Sequence, residues 1–590
     1  MKGLLLLLLA GVTGLFAYVV SVAQSPTSAT APEKSVWWKE TVVYQIYPRS
    51  FKDSNGDGVG DLRGIISKLD YLKTLGIGAV WLNPIYASPN DDNGYDISDY
   101  RQIQPEYGTM QDFDELLKGM HQRGIKLVMD LVVNHSSDEH EWFKQARSSR
   151  TNPYRDYYHW WPAEKGKPTP RFSFFDVNND AWKYDSLTKA YYLHYFSRKQ
   201  PDLNWENPKL RQEVYNIMRF WLDKGIDGFR MDAFQYIAKD TTFPTFPIGY
   251  EKQIIKYYSS GPHLHDYIQE MNREVLRKYN VMTVAEGAGS SPAEAMKFVD
   301  PDRRELDMAY HFEGVDYGYV QGKDYAYLDP AGYDLVKFKQ IYTKWDKAFA
   351  EKGWGTVYLG NHDQPRMVSR WGDDRPAFRA PSAKLLTTFL LTMTGTPFYY
   401  NGDELGMTNS VYKSITDYRD VAARNQYKHL QDTGTDLALF LKRLNQSSRD
   451  NSRTPFQWDA TANAGFTTGT PWIAVNPNYT TINEVAQDKD PASVLNYCRK
   501  ALATRRQHKV LIYGKYQLLD EANPHIYAYT RTLGKEKVLI VLNFSPDKRS
   551  WSVPSTLKPS AQALLNNYPT LKVSSVLALQ PWQAVVLSLS

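Results

Sequence analysis

The chain has 590 residues, 42% hydrophobic and 14% aromatic, with 70 basic and 65 acidic side chains that leave a net charge of +5. That much apolar material builds a large core and more than one domain, which excludes a disordered or collagenous protein. The basic residues form no sustained block, which argues against nucleic acid as a partner.

The first 23 residues carry Lys2, an apolar run from Leu4 to Val20 and a small-x-small ending, Ser21-Val22-Ala23, which predicts a secretory signal peptide cleaved after Ala23. The alternative is an uncleaved membrane anchor, because the run approaches the ~20 residues that span a bilayer. No cysteine lies near it, which excludes a lipid-modified one. Residues 24–36, rich in Ser, Thr, Ala and Pro, read as a flexible leader. Cys498 stands alone, so there is no intrachain disulfide, and export without disulfides fits a bacterial periplasm or secretion.

The folded part starts near Trp37. Strand patterns at Thr41–Arg49, Gly78–Pro84 and Lys126–His135 alternate with helical spacing at Leu62–Leu75 and Met110–Arg123. A helix is predicted at Asn207–Lys224, then strands at Gly228–Ala233, Val281–Ala285, Leu306–Phe312, Thr356–Leu359 and Thr396–Tyr400. Eight strands alternating with helices predict an α/β fold, a (β/α)8 TIM barrel, built from residues 37–134 and 207–512. The aromatic stretch 135–206 is too long for a βα loop and is expected to be a subdomain inserted after strand 3, forming one wall of the cleft. Residues 513–590 alternate in period two, as in Ile526–Thr530 and Val538–Asn543, which predicts a C-terminal all-β sandwich domain.

Three of the apolar runs end in a carboxylate: Asp232, Glu286 and Asp363. In a parallel barrel that edge is where catalytic groups gather. Arg230 and Asp232 lie two apart, so a strand points both the same way, and the guanidinium is expected to keep Asp232 ionised. Convergent carboxylates without a phosphate loop or a Cys/His metal cluster suggest sugar chemistry, in which one acid attacks and another protonates the leaving oxygen. The 42 Tyr and 16 Trp suit stacking on sugar faces, although core packing explains most such rings.

The motifs Val43-Tyr-Gln-Ile-Tyr-Pro-Arg-Ser-Phe51, Asp130-Leu-Val-Val-Asn-His135, Gln200-Pro-Asp-Leu-Asn204, Gly228-Phe-Arg-Met-Asp232, Asn361-His-Asp363 and Arg453-Thr-Pro-Phe-Gln-Trp458, together with Glu286, follow one another in order. The chain from Trp37 onward resembles the α-amylase family, glycoside hydrolase family 13, and within it the oligo-1,6-glucosidase and α-glucosidase group. The resemblance implies Asp232 as nucleophile, Glu286 as general acid/base and Asp363 as stabiliser of the transition state. It implies His135, His362 and Arg230 around the sugar, Tyr95 and Phe172 as stacking walls, and Asp96 with Arg453 as the pair closing the non-reducing end. A retaining mechanism would place the two working carboxyls roughly 5–5.5 Å apart.

Asp53-Ser-Asn-Gly-Asp-Gly-Val-Gly-Asp61 places oxygen-bearing side chains at alternate positions with Gly58 at the turn, like the start of a calcium loop. Gly64 stands where an EF-hand needs Glu, so it is no EF-hand. The resembling glucosidases hold one structural Ca²⁺ there, which implies Asp53, Asn55, Asp57, the Val59 carbonyl and Asp61 as ligands. No organic cofactor is expected. Partners reduce to a small oligosaccharide, with no stable membrane association once the signal segment is cleaved, and the chain is expected to act as a monomer.

In this group Val after the nucleophile favours α-1,6 linkages, and smaller residues admit α-1,4. Ala233 therefore predicts maltose and short maltooligosaccharides as substrates, with isomaltose also open. The alternative within enzymes is a sucrose isomerase or trehalose synthase-type transglycosylase; sucrose isomerases often carry an Arg-rich loop after the sixth strand, and Glu313–Val320 has no Arg. A non-catalytic glucosidase-like binding module would be marked by loss of a catalytic acid, and all three are present.

Overall fold

The computed structural model describes residues 36–590 except 177, 260, 288, 290 and 323. The predicted signal peptide and the leader up to residue 35 lie outside the described residues. Among the described residues no helix is long and apolar enough to cross a membrane.

Eight parallel strands form one sheet: β1 Val43–Ile46, β2 Ala79–Leu82, β3 Lys126–Val132, β4 Gly228–Asp232, β5 Met282–Ala285, β6 Met308–Ala309, β7 Thr356–Val357 and β8 Thr396–Tyr400. They pair in chain order, with β1 also beside β8, and the parallel bridge Ala309–Gly355 closes the ring between β6 and β7. The expected (β/α)8 barrel is therefore present. Its strands are short apolar runs buried on both faces, as a closed parallel sheet wrapped in helices demands. Val43, Ala79, Trp81, Val128, Met282 and Phe398 fill the interior.

Local signals explain the element ends. Helix Met110–Gln122 starts on a reciprocal Thr109/Asp112 capping box. Helix Pro208–Lys224 has Asn207 as its cap, proline at its first position and Gly225 in the left-handed conformation at its end. The single helix expected at Leu62–Leu75 is two, Leu62–Ile66 and Leu69–Leu75. Ser67 donates its hydroxyl to the Gly64 carbonyl at 2.6 Å, a local bond that competes with helix continuation at the break.

The inserted segment folds as a three-stranded antiparallel sheet, Trp160–Pro162, Ala190–Leu193 and Trp182–Asp185 in spatial order. Its return strand rejoins the barrel through the bridge between His135 and Asp202. The C-terminal domain has a five-stranded antiparallel sheet facing a two-stranded one, Arg549–Ser552 with Val576–Leu579. Trp551, Leu577 and Leu579 share a core with Ile526, Leu539 and Val585, so the two sheets form the expected sandwich.

Candidate active site

Asp232 ends β4, and the Glu286 main-chain N–H, donating to the Met231 carbonyl at 2.9 Å, continues the β4–β5 ladder to the next acid. A side chain at Gly228 would press into β5, its Cβ 2.1 Å from the Met282 carbonyl oxygen, so only glycine lets the two acid-bearing strands approach this closely. Arg230 then stands behind three carboxylates. Its Nη1 donates to Asp130 at 2.6 Å and to Asp232 at 2.7 Å, and its Nη2 donates to Glu286. The other Glu286 oxygen accepts the Ala233 main-chain N–H at 2.9 Å.

Exposure sorts these acids. The side chains of Arg230 and Asp130 are 1% and 0% exposed, whereas Asp232 and Glu286 are 10% and 14% exposed. Asp232 and Glu286 are therefore open to solvent, and Asp130 is sealed behind them. Burial pushes Asp130 up to about 6 in spite of Arg230. The Arg230 charge favours ionised Asp232, as expected, but it is not private to that acid. The guanidinium is divided among three acids, and burial followed by the Glu286 charge pushes Asp232 well above the usual carboxylate range against it.

Asp363, in the loop after β7, is 32% exposed at its side chain and sits between Arg449 at 3.0 Å and Arg453 at 2.9 Å. Burial opposes its ionisation, but His362, Arg449, Arg453 and Arg230 outweigh it and hold the carboxyl far below the usual range. Burial takes His362 down to about 3, so the imidazole is neutral and the guanidiniums supply the charge. Its tautomer follows from its partners. Gln45 Nε2 lies 2.9 Å from Nδ1, leaving Nε2–H to donate to Asp363 at 3.2 Å. Asn83, which accepts the other Gln45 proton, donates to the Tyr95 hydroxyl at 2.6 Å. Tyr95 stacks on His362 at 5.2 Å between centroids, and Arg453 Nε fixes the His362 carbonyl at 3.0 Å. Tyr95, His362, Arg453 and Asp363 thus converge.

His135 is buried, flanked by Tyr95 and Gln200, with Phe196 tilted against it at 5.1 Å. Burial, aided by the Lys239 charge, takes it down to about 3. Among the described residues Phe172 has no ring contact with His135, Tyr95 or His362. It packs edge-on against Phe174, and its main chain is held by the hydroxyls of Tyr250 and Tyr258. Phe196, against His135, and Phe175, 4.7 Å from the Arg449 guanidinium, are further rings beside these residues.

Asp96 and Arg453, expected to close the non-reducing end together, form no ion pair with each other among the described residues. Asp96 accepts the main-chain N–H groups of Asp91 and Asp92 and the Ser88 hydroxyl, so its carboxylate closes its own turn. The pair that forms is Asp92 with Arg449, at 3.4 Å, and Arg449 also holds Asp420 at 2.5 Å. Sequence reasoning missed Asp92 and Arg449, each four residues before the residue chosen.

In the loop at residues 53–61, Asp53 accepts the N–H groups of Asn55, Gly56 and Gly58 at 2.8–2.9 Å, and Asp61 accepts those of Ser54 and Gly64. Asp57 accepts the Val59 N–H at 2.8 Å. The predicted donor set of three carboxylates, one amide and one carbonyl is all oxygen, which suits a hard cation. Among the described residues no group of three or more His, Cys, Asp or Glu side chains is arranged to hold a metal ion.

A (β/α)8 barrel presenting three acids around buried guanidiniums at the C-terminal end of its strands is the architecture of an enzyme acting on sugars. The family model for the alpha amylase catalytic domain matches residues 45–514, and that for the maltogenic amylase C-terminal domain matches 516–586. The chain belongs to the α-amylase family of glycoside hydrolases. It is 52% identical to an oligo-1,6-glucosidase of Parageobacillus thermoglucosidasius, over 93% of this chain and 98% of that one. It is 49% identical to an oligo-1,6-glucosidase of Bacillus cereus, over 94% and 99%. Among solved structures, the isomaltulose synthase of Klebsiella sp. LX3 is 45% identical with a TM-score of 0.91, covering 95% of this chain and all of that one.

Proposed function

We propose that the protein is a retaining, exo-acting α-glucosidase that removes terminal glucose from short α-linked oligosaccharides through a covalent glycosyl-enzyme. The observation that carries this reading is Arg230 bridging Asp232 and Glu286 while Arg449 and Arg453 hold Asp363 at 3.0 and 2.9 Å. Asp232 attacks the anomeric carbon, Glu286 protonates the leaving oxygen, and the constitutive charge on Asp363 stabilises the oxocarbenium-like transition state. Attack needs Asp232 without a proton, a state that Arg230 favours against burial and the Glu286 charge. Glu286 lies on the same guanidinium and is the group that needs one. Water deprotonated at Glu286 then releases the glucose with its α configuration. The Asp92–Arg449 pair, backed by Asp420, supports a pocket closed beyond the non-reducing glucose, which limits cleavage to one unit at a time.

Linkage preference turns on Ala233. The name of the relatives, oligo-1,6-glucosidase, points to α-1,6 linkages, whereas the small side chain at this position favours room for an α-1,4 chain. Incubation with maltose, isomaltose, sucrose and trehalose, with every product identified, tests the assignment. The wild type should turn over maltose at least as well as isomaltose, and Ala233→Val should shift the kcat/KM ratio towards isomaltose by about tenfold, the scale of a methylene-sized change in a packed pocket. A wild-type preference for isomaltose, or an unchanged ratio in the variant, contradicts the assignment. The transglycosylase alternative has one observation in its favour: Arg370, from helix Met367–Trp371, places its guanidinium on the Val315 and Tyr317 carbonyls, in the segment that lacks arginine of its own. Free glucose and fructose from sucrose support hydrolysis, and a new disaccharide supports transfer.

We also propose one structural Ca²⁺ held by Asp53, Asn55, Asp57, the Val59 carbonyl and Asp61, and export of the mature chain. The loop packs on the segment around Thr470, with Trp472 N–H donating to the Gly58 carbonyl at 3.0 Å, so an ion here would tie that segment to the barrel and take no part in catalysis. Chelation with EDTA should lower Tm by a few degrees, restored by Ca²⁺, and leave kcat at 25 °C unaffected, as expected of a ligand bound only to the native state. An unchanged Tm contradicts it.

A further inference from the structure

We infer that Lys239 is a positioning residue that fixes the tautomer of His135 through Asn134, and so decides how His135 meets the sugar. The inference rests on the reading of His135 as a glucose contact. Lys239 follows β4 but its ammonium points back to the end of β3. It donates to Asn134 Oδ1 at 2.6 Å, lies 3.3 Å from Asp202 Oδ2, and stands 5.2 Å from the Tyr195 ring centroid. The Lys239 side chain is 1% exposed and that of Asp202 0%. A buried ammonium is costly to desolvate, so a role beyond packing is needed to account for it.

The role follows from a conflict at His135. Two amide nitrogens approach its ring: Asn134 Nδ2 lies 3.1 Å from Nδ1, and Gln200 Nε2 lies 3.2 Å from Nε2. A neutral imidazole has one lone pair, so only one of them has an acceptor. The Gln200 amide is oriented elsewhere, because its Oε1 accepts the Ser197 N–H at 3.0 Å and its Nε2 donates to Asp92 at 3.2 Å. Asn134 alone would be free to flip. Lys239, which has donors only, forces Asn134 Oδ1 towards itself and Nδ2 towards His135. Nδ1 then accepts and Nε2 carries the proton, in agreement with the Tyr95 carbonyl 3.2 Å from Nε2. The Gln200 contact becomes donor against donor, which leaves the Nε2–H available to a sugar hydroxyl that outcompetes the Tyr95 carbonyl. Asp202, bridged to His135 by the main chain, sets its carboxylate 3.3 Å from the Lys239 ammonium and holds it in place.

The test is a double-mutant cycle on maltose, with kcat, KM and Tm measured for the wild type, Lys239→Met, His135→Asn and the double variant. Lys239→Met should lower kcat/KM by about 10- to 100-fold, the range for a hydrogen bond to a charged group, mostly through KM. In the His135→Asn background it should add less than about twofold, because the residue it positions is gone. Asn134→Asp gives an independent reading that keeps the Lys239 pairing. It offers Nδ1 only acceptors, so it should lose activity like Lys239→Met while Tm holds. Equal loss from Lys239→Met in both backgrounds, or full activity in Asn134→Asp, overturns the proposal. Full activity in His135→Asn overturns instead the sugar contact on which it rests.

Discussion

Replacing Asp232 with asparagine should abolish turnover by about 10⁴-fold or more while leaving the fold and substrate binding intact. The amide keeps the shape and one hydrogen bond to Arg230, so Tm should change little. What it removes is the carboxylate proposed to form the bond to the anomeric carbon. A Glu286→Gln variant given a glucoside with a good leaving group should accumulate one hexose on the peptide carrying Asp232, because deglycosylation then lacks its base. Mass spectrometry of the digested protein reads the adduct directly. An Asp232→Asn enzyme within tenfold of wild-type activity would place the chemistry elsewhere.

The second large effect should come from Arg230→Lys. Asp130, Asp232 and Glu286 share that guanidinium, and a lysine ammonium on a flexible stem cannot reproduce the planar fork that reaches Asp130 and Asp232 through one nitrogen and Glu286 through the other. Three acids crowded in a buried site without their bridge would bind protons, so Asp232 would be less often ionised at neutral pH. kcat should fall by about 10³-fold, and the loss of a buried charge partner should cost about 3–5 kcal/mol of stability. The sign with pH follows from the direction of the Asp232 shift. Its pKa already lies above the usual range, so the ionised nucleophile is gained as pH rises, and the acid limb of the kcat/KM profile should move to higher pH in the variant. An unmoved acid limb would mean that Arg230 does not govern the ionisation of Asp232.

The barrel was legible because each of its strands is an apolar run bounded by turn residues, and a closed sheet covered on both faces leaves no polar alternation to confuse the reading. The three acids were legible for the same reason, as carboxylates at run ends. The electrostatics were not. Arg230 sits two residues from Asp232 in sequence, which suggests a private pair, but Asp130 and Glu286 arrive from neighbouring strands and divide its charge. The Asp92–Arg449 contact lies four residues before the expected Asp96 and Arg453 at both ends. Asn93 and Gly94 adopt positive φ and reverse the chain, so Asp92 faces Arg449 while Asp96 caps the turn. Arg449 and Arg453 both reach Asp363, and only Arg449 reaches Asp92, a distinction that spacing alone does not carry. Phe175 and Phe196 were hidden among the many rings of the inserted segment, where no periodicity separates a ring beside the site from one in the core. Lys239 had no signal at all, since its partners lie 37 and 105 residues away.

The most direct test follows the anomeric proton of the glucose released in the first minutes of maltose hydrolysis by ¹H NMR, before mutarotation equilibrates the product. Double displacement through Asp232 predicts the α-anomer first, with the β signal growing only later. If the β-anomer comes first, water attacks the sugar directly, no glycosyl-enzyme forms on Asp232, and the account is wrong.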